Sequence, residues 1–150
     1  MGTECLGQRS LKLRFYQSLS DMANPQTLSN ELSKKQVINL SEYFIGYQIR
    51  DTWFEKIEHV KQGKVVNSYH YTYKNDKVAK IIWLKFQDDI SDRCQMDFTD
   101  TTKHTLCYYK SGGLYTEEWL NIMTTEYHFG QYDENGKLLY SENGSYSPLK

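Results

Sequence analysis

Between Lys64 and Phe86 the sequence reads KVVNSYHYTYKNDKVAKIIWLKF, two runs of alternating character on either side of Asn75-Asp76. Successive side chains of a strand point to opposite faces. A period of two around a two-residue polar joint therefore predicts a β-hairpin. Pairing about that joint sets Tyr73 against Val78, Tyr71 against Lys80 and Tyr69 against Ile82. One face then carries tyrosine and branched aliphatics, and the other carries Val66, Ser68, His70, Ile81 and Trp83. A chain built around this segment is committed to antiparallel sheet.

The flanking sequence has the same pattern. Tyr43–Lys61 is too long for one average strand, and Gly46 or Asp51 is expected to mark a bulge or break. Gln62-Gly63 turns the chain into the hairpin. Arg93–Thr99 and His104–Lys110 flank a turn at Asp100–Lys103. Ser111-Gly112-Gly113 leads into Leu114–Phe129, again a long run. Asn135-Gly136, the strongest hairpin signal present, joins Phe129–Asp133 to Lys137–Ser141. Tyr69-His70-Tyr71 and Tyr127-His128-Phe129 each precede a turn and a lysine-apolar pair, which reads as two hairpins of like chemistry rather than a repeat.

The N-terminal part reads differently. Residues 1–24 fit a short strand around Leu11, Leu13 and Phe15, or a helix from Ser10 to Ser20. Asn24-Pro25 is a helix-start signal, and Leu28 and Leu32 stack at i, i+4, so a helix is expected from Pro25 to about Leu40. The expected fold is mainly β: an antiparallel meander of about seven or eight strands curled into a lipocalin-like barrel, with an N-terminal helix. Closing the sheet would remove edges that invite aggregation. The alternative is an α+β cone of the nuclear-transport-factor-2-like kind, with the helical part as its lid.

Length bounds the organisation: 150 residues are expected to form a single domain, with 1–42 helical or irregular and 43–141 the β-meander. Thirteen tyrosines against two prolines favour strands. A net charge of -1 argues against nucleic acid and anionic membranes as partners. Residues 111–150 carry two basic and six acidic groups, an acidic end read as a solvated face. The opening MGTECLGQRS has no apolar leader core, Leu6 stands where a myristoylation pattern needs serine or threonine, and no run is long enough to span a membrane. The expected location is cytoplasmic.

No nucleophile elbow, phosphate loop, dinucleotide fingerprint or zinc-protease helix occurs, so no catalytic residue is assigned and an enzyme is not the favoured reading. Four histidines without tight spacing predict no metal, and no cofactor is implied. Cys5, Cys94 and Cys107 lack CxxC spacing. A three-residue loop after Thr99 would set Met96 against Leu106 and Cys94 against Tyr108, which predicts three free thiols; a two-residue loop at Asp100-Thr101 would set Cys94 against Cys107.

The candidate site comes from extending the pairing one strand back through Gln62-Gly63. Glu55 then falls opposite His70, Trp53 opposite Thr72 and His59 opposite Val66. Trp53, Glu55, His70 and Trp83 are the expected ligand-binding residues: indole walls around a carboxylate–imidazole pair. A one-residue slip would carry Glu55 to the other face. Glu55 and His70 also fit an ordinary exposed cross-strand pair. The leading functional expectation is a small-molecule binding protein holding an apolar or aromatic ligand. The alternatives are a protein-interaction module of immunity or inhibitor type, acting through an aromatic sheet face, and a small cofactor-free enzyme using the Glu/His pair.

Overall fold

The computed structural model describes residues 11–50 and 53–146. The readings on the leader, the myristoylation pattern and Cys5, and the break at Asp51, lie outside the described residues. Eleven strands run β1 Lys12–Leu19, β2 Leu28–Leu32, β3 Glu42–Arg50, β4 Trp53–Lys61, β5 Lys64–Lys74, β6 Lys77–Lys85, β7 Ser91–Phe98, β8 Thr102–Tyr109, β9 Leu114–Asn121, β10 Glu126–Tyr132 and β11 Leu138–Ser145. Their hydrogen-bonded order is β11-β10-β9-β8-β7-β6-β5-β4-β3-β1-β2. This is the expected antiparallel meander with more strands than expected, because the N-terminal segment supplies β1 and β2 and the long run at Tyr43–Lys61 holds two.

The expected lipocalin-like barrel is not formed. Closure needs the two end strands to pair, but the strand order is open, with β1 held between β2 and β3. The order therefore ends at β2 and at β11. The expected helix from Pro25 to Leu40 is also absent, and with it the lid of the cone alternative. Asn24 does cap a start, its side chain accepting from the Gln26 N–H ahead of Pro25, but only a 3-10 turn over Pro25–Thr27 follows. Leu28 and Leu32 then pair with Leu19 and Phe15 in β2. An i, i+4 spacing keeps two residues on one face of a strand as well as of a helix, so it could not separate the two. The one α-helix among the described residues, α1 Lys34–Ile38, starts at a Ser33/Gln36 capping box.

The chain divides into two compact units, one ending at Tyr71 and the other beginning at Thr72, inside β5. In the first unit, β1 and β3–β5 share one face on which Tyr16, Phe54, Ile57, Tyr69 and Tyr71 are buried. Phe54 meets Tyr16 edge to face at 6.0 Å. The Tyr71 hydroxyl donates to the Met22 carbonyl at 2.7 Å, which ties the β1–β2 connection over this face. Gly46 lies beneath the Phe54 ring; a Cβ there would stand 2.7 Å from its Cε1.

In the second unit, Ile81, Cys94 and Met96 are buried on one face. Cys94 faces Cys107 directly and is bonded to it, with Cα atoms 4.0 Å apart. This overturns the expectation of free thiols at these two positions. The Thr99 N–H donates to the Thr102 carbonyl, closing the two-residue loop at Asp100-Thr101, and the Thr99 hydroxyl accepts from the Thr101 and Thr102 N–H groups. That side-chain turn outweighs the apolar match that favoured the longer loop.

The turn residues Asn75 and Asp76 both hold positive φ, 52° and 61°, as a type I′ hairpin turn requires. Asparagine tolerates this region and glycine suits the second position best. Asp76→Gly should therefore raise stability by about 0.5–1 kcal/mol, read as a higher urea midpoint with unchanged slope.

Candidate functional site

The expected site residues divide between the units. Trp53, Glu55 and His70 belong to the first, and Trp83 to the second. Trp53 and Glu55 are half-buried on β4, with the Arg50 guanidinium 5.5 Å from the centre of the Trp53 ring. Trp83 is half-buried on β6, opposite Cys94 and under the Lys85 ammonium at 5.0 Å.

Glu55 does not face His70. The register at the Gln62-Gly63 turn is the expected one, with Lys61 against Lys64 and Val60 against Val65. The ladder then shifts between His59 and Val60, so Asn67 rather than Val66 faces His59 and Lys56 faces His70. Val66 is the extra residue of that bulge. Glu55 is itself the extra residue of a second bulge, where Tyr47 faces Lys56 and Gln48 faces Phe54.

The shift gathers a different set around His70. Tyr47, Lys56, Glu58, Ser68 and His70 share one face of β3–β5. The Tyr47 hydroxyl donates to the Glu58 carboxylate. The Lys56 ammonium sits 4.2 Å over the Tyr47 ring. Ser68 Oγ and His70 Nε2 are 2.8 Å apart. Burial first, then the hydrogen bond to Glu58 and its charge, push the Tyr47 phenol up to about 12. Burial and the Lys56 charge hold His70 below its ordinary value, opposed by Glu58 and Glu55. A neutral imidazole against a serine hydroxyl has the layout of an activated nucleophile. Ser68 is only 2% exposed, however, so no substrate atom reaches it. The pair satisfies buried polar groups instead.

His70 makes a testable contribution to pH dependence. Its folded-state value is depressed, so the unfolded chain binds the proton more readily. Stability is full above the unfolded value of about 6.5 and falls as pH drops below it. In His70→Gln, the loss of urea midpoint between pH 7.5 and pH 5.5 should be smaller than in the parent. An unchanged loss would show that His70 does not carry it.

A second arrangement occurs once in each unit. His59 stacks on Phe44, its cross-strand partner, at 4.4 Å, and its Nε2 meets Glu42 at 2.7 Å, two residues before Phe44. His104 stacks on Trp119, its cross-strand partner, at 3.6 Å, and its Nε2 meets Glu117 at 2.8 Å, two residues before Trp119. In both, an imidazole is held flat by a ring and fixed in plane by a carboxylate. His59 uses its other nitrogen on Asn67 at 3.2 Å, so its ring is fully engaged and structural. On the far side of Trp119 lies His128, which bonds Asn143. His104 is half-buried. No sequence signal could have found these sets, because the partners meet only once the registers are known. Among the described residues, no group of three or more metal-ligating side chains gathers.

The last two strands present aromatic side chains outward. Tyr127 stacks on Tyr146 at 4.7 Å, and Phe129 meets Tyr140 at 6.1 Å. The Tyr127 and Tyr140 hydroxyls both donate to the Glu142 carboxylate at 2.8 Å. Those two bonds hold Glu142 below the usual carboxylate range. Leu138, Leu139, Tyr140 and Tyr146 are each about half exposed. No helix of the described residues is long and apolar enough to cross a membrane. No family model, no curated protein and no solved structure matches the chain.

Proposed function

We propose that the protein is an interaction module whose binding element is strand β11, and that its partner adds an extended segment of alternating basic and apolar residues along it. The observation that carries this reading is the state of β11. It is eight residues long, stands at the end of the strand order and is exposed along nearly its whole length. Proteins usually blunt such edges with lysine, proline or brevity. Leu138–Ser145 contains neither lysine nor proline, whereas β2 at the other end is only five residues long. Strand addition would supply backbone hydrogen bonds, and Tyr140, Tyr146 and Glu142 would read the partner's alternate side chains. The acidic balance of residues 111–150 selects basic partners. This is the interaction reading of the sequence, an aromatic sheet face, now placed at the C-terminal edge.

The small-ligand reading at Trp53, Glu55, His70 and Trp83 takes second place, because the register sets Lys56 rather than Glu55 opposite His70. The cytoplasmic placement loses the support of free thiols at Cys94 and Cys107, since disulfides persist mainly in oxidising compartments.

The test uses a synthetic peptide of alternating lysine and valine. It should slow hydrogen exchange at the amides of Leu138–Ser145, and Leu139→Lys should abolish the effect by placing like charge on the edge. A glutamate–valine peptide should give no protection. Equal protection by both peptides, or protection elsewhere in the chain, would overturn the proposal. Concentration-dependent dimerisation lost in Leu139→Lys would identify a second copy as the occupant instead and overturn the basic-partner assignment.

A further inference from the structure

We infer that the groove between the ends of β6, β7 and β8 binds a small aromatic anion, a ring carrying a carboxylate or phosphate. The groove holds about 340 Å³ and is lined by Leu84, Lys85, Phe86, Arg93, Tyr108 and Lys110 among others. That volume lies at the small end of ligand sites, roughly 300–1,000 Å³. Leu84 faces Arg93 across β6 and β7, and Arg93 faces Tyr108 across β7 and β8, so the register sets an aliphatic, a cation and a ring side by side.

Three cations line this groove against one carboxylate, Asp92. The excess is local. From Thr72 onward the chain has nine basic and twelve acidic residues, so the groove is a positive site on an acidic unit. Asp88 uses both oxygens, Oδ1 accepting the Ile90 and Ser91 N–H groups and Oδ2 pairing with the Lys85 ammonium at 3.8 Å, so the Lys85 charge is already matched. The Lys85 ammonium also lies over the Trp83 ring, so the charge the groove offers a ligand is that of the exposed Arg93 and Lys110. The Arg93 guanidinium lies 4.7 Å from the centre of the Tyr108 ring. Stacking uses the face of the guanidinium plate and leaves its N–H edge to pair with a carboxylate or phosphate fork. Phe86 is 57% exposed, a large ring left in water beside these cations. An aryl anion satisfies all of this at once: its ring covers Phe86 and its oxygens meet Arg93 and Lys110. Neither a neutral aromatic nor a bare anion uses both halves.

The test is titration of the whole chain with phenyl phosphate, followed by amide NMR. Saturable shifts are expected at Leu84–Phe86, Arg93 and Tyr108–Gly112. Phenol and inorganic phosphate should each bind at least tenfold more weakly. Arg93→Gln and Lys110→Gln, both exposed and remote from the buried face, should each weaken phenyl phosphate at least tenfold without changing the thermal midpoint. Inorganic phosphate binding as well as phenyl phosphate would show an anion site without a ring subsite. Phenol binding as well would show the reverse. Either result, or full binding in both variants, overturns the inference. Failure here leaves strand addition at β11 untouched, because the two sites share no residue.

Discussion

Replacing Cys94 and Cys107 by alanine together should cost about 3 kcal/mol of stability, the largest effect expected from any pair in the second unit. The bond spans 13 residues, and closing a loop of that size in the unfolded chain is worth roughly this much. Cys94 is also fully buried, so removal of its sulfur leaves unfilled space beneath Trp83, its cross-strand neighbour. Two readings check this. The denatured, unreduced protein should titrate one thiol per chain rather than three. Reduction of the native protein should raise tryptophan emission, because a disulfide beside an indole quenches it, and Trp83→Phe should remove that rise. Three thiols in the unreduced protein would refute the pairing.

Gly46→Ala should cost about 2 kcal/mol, because overpacking a buried face forces rings off their preferred positions. A Cβ at Gly46 would stand 2.7 and 2.9 Å from two Phe54 ring carbons and 3.1 Å from a Leu28 methyl. Phe54 is 4% exposed and has nowhere to go. Phe54→Ala alone should cost about 3–4 kcal/mol. In the double variant the penalty at position 46 should largely vanish, since the ring that caused the clash is gone. Denaturant unfolding of the four proteins gives the coupling directly. Additive losses would mean that Phe54 does not set the space at Gly46.

These two sites mark the border of what the sequence could show. The joints Asn75-Asp76, Gln62-Gly63 and Asn135-Gly136 were legible because turn chemistry is local, and they gave the meander. Strand boundaries were limited by runs such as Leu114–Phe129, where Asn121 starts a turn by accepting the Met123 and Thr124 N–H groups. Bulges were not legible. Val66, Glu55 and Leu139 are extra residues in their ladders, and nothing in their side chains announces it. One such shift replaced Glu55 by Lys56 opposite His70 and changed the chemistry of the whole cluster. The Cys94–Cys107 pairing was open in the sequence and turned on the Thr99 hydroxyl. The exposed aromatic edge at β11 was hidden because its exposure depends on which strand ends the order.

The placement of β1 between β2 and β3 has a consequence for the order of events in folding. Most strands meet the next strand through a short turn, so each pairing closes a small loop quickly. β1 is the exception, since Leu13 must find Tyr47 and Phe15 must find Ile45 after β2 and α1 have intervened. Distant pairings of this kind are slow to form. On a ribosome, the hairpin of β1 and β2 emerges with one side bare and waits for β3 before that side is covered. The first unit therefore has a window in nascent life when its most basic strand, carrying Lys12 and Arg14, is open to other chains.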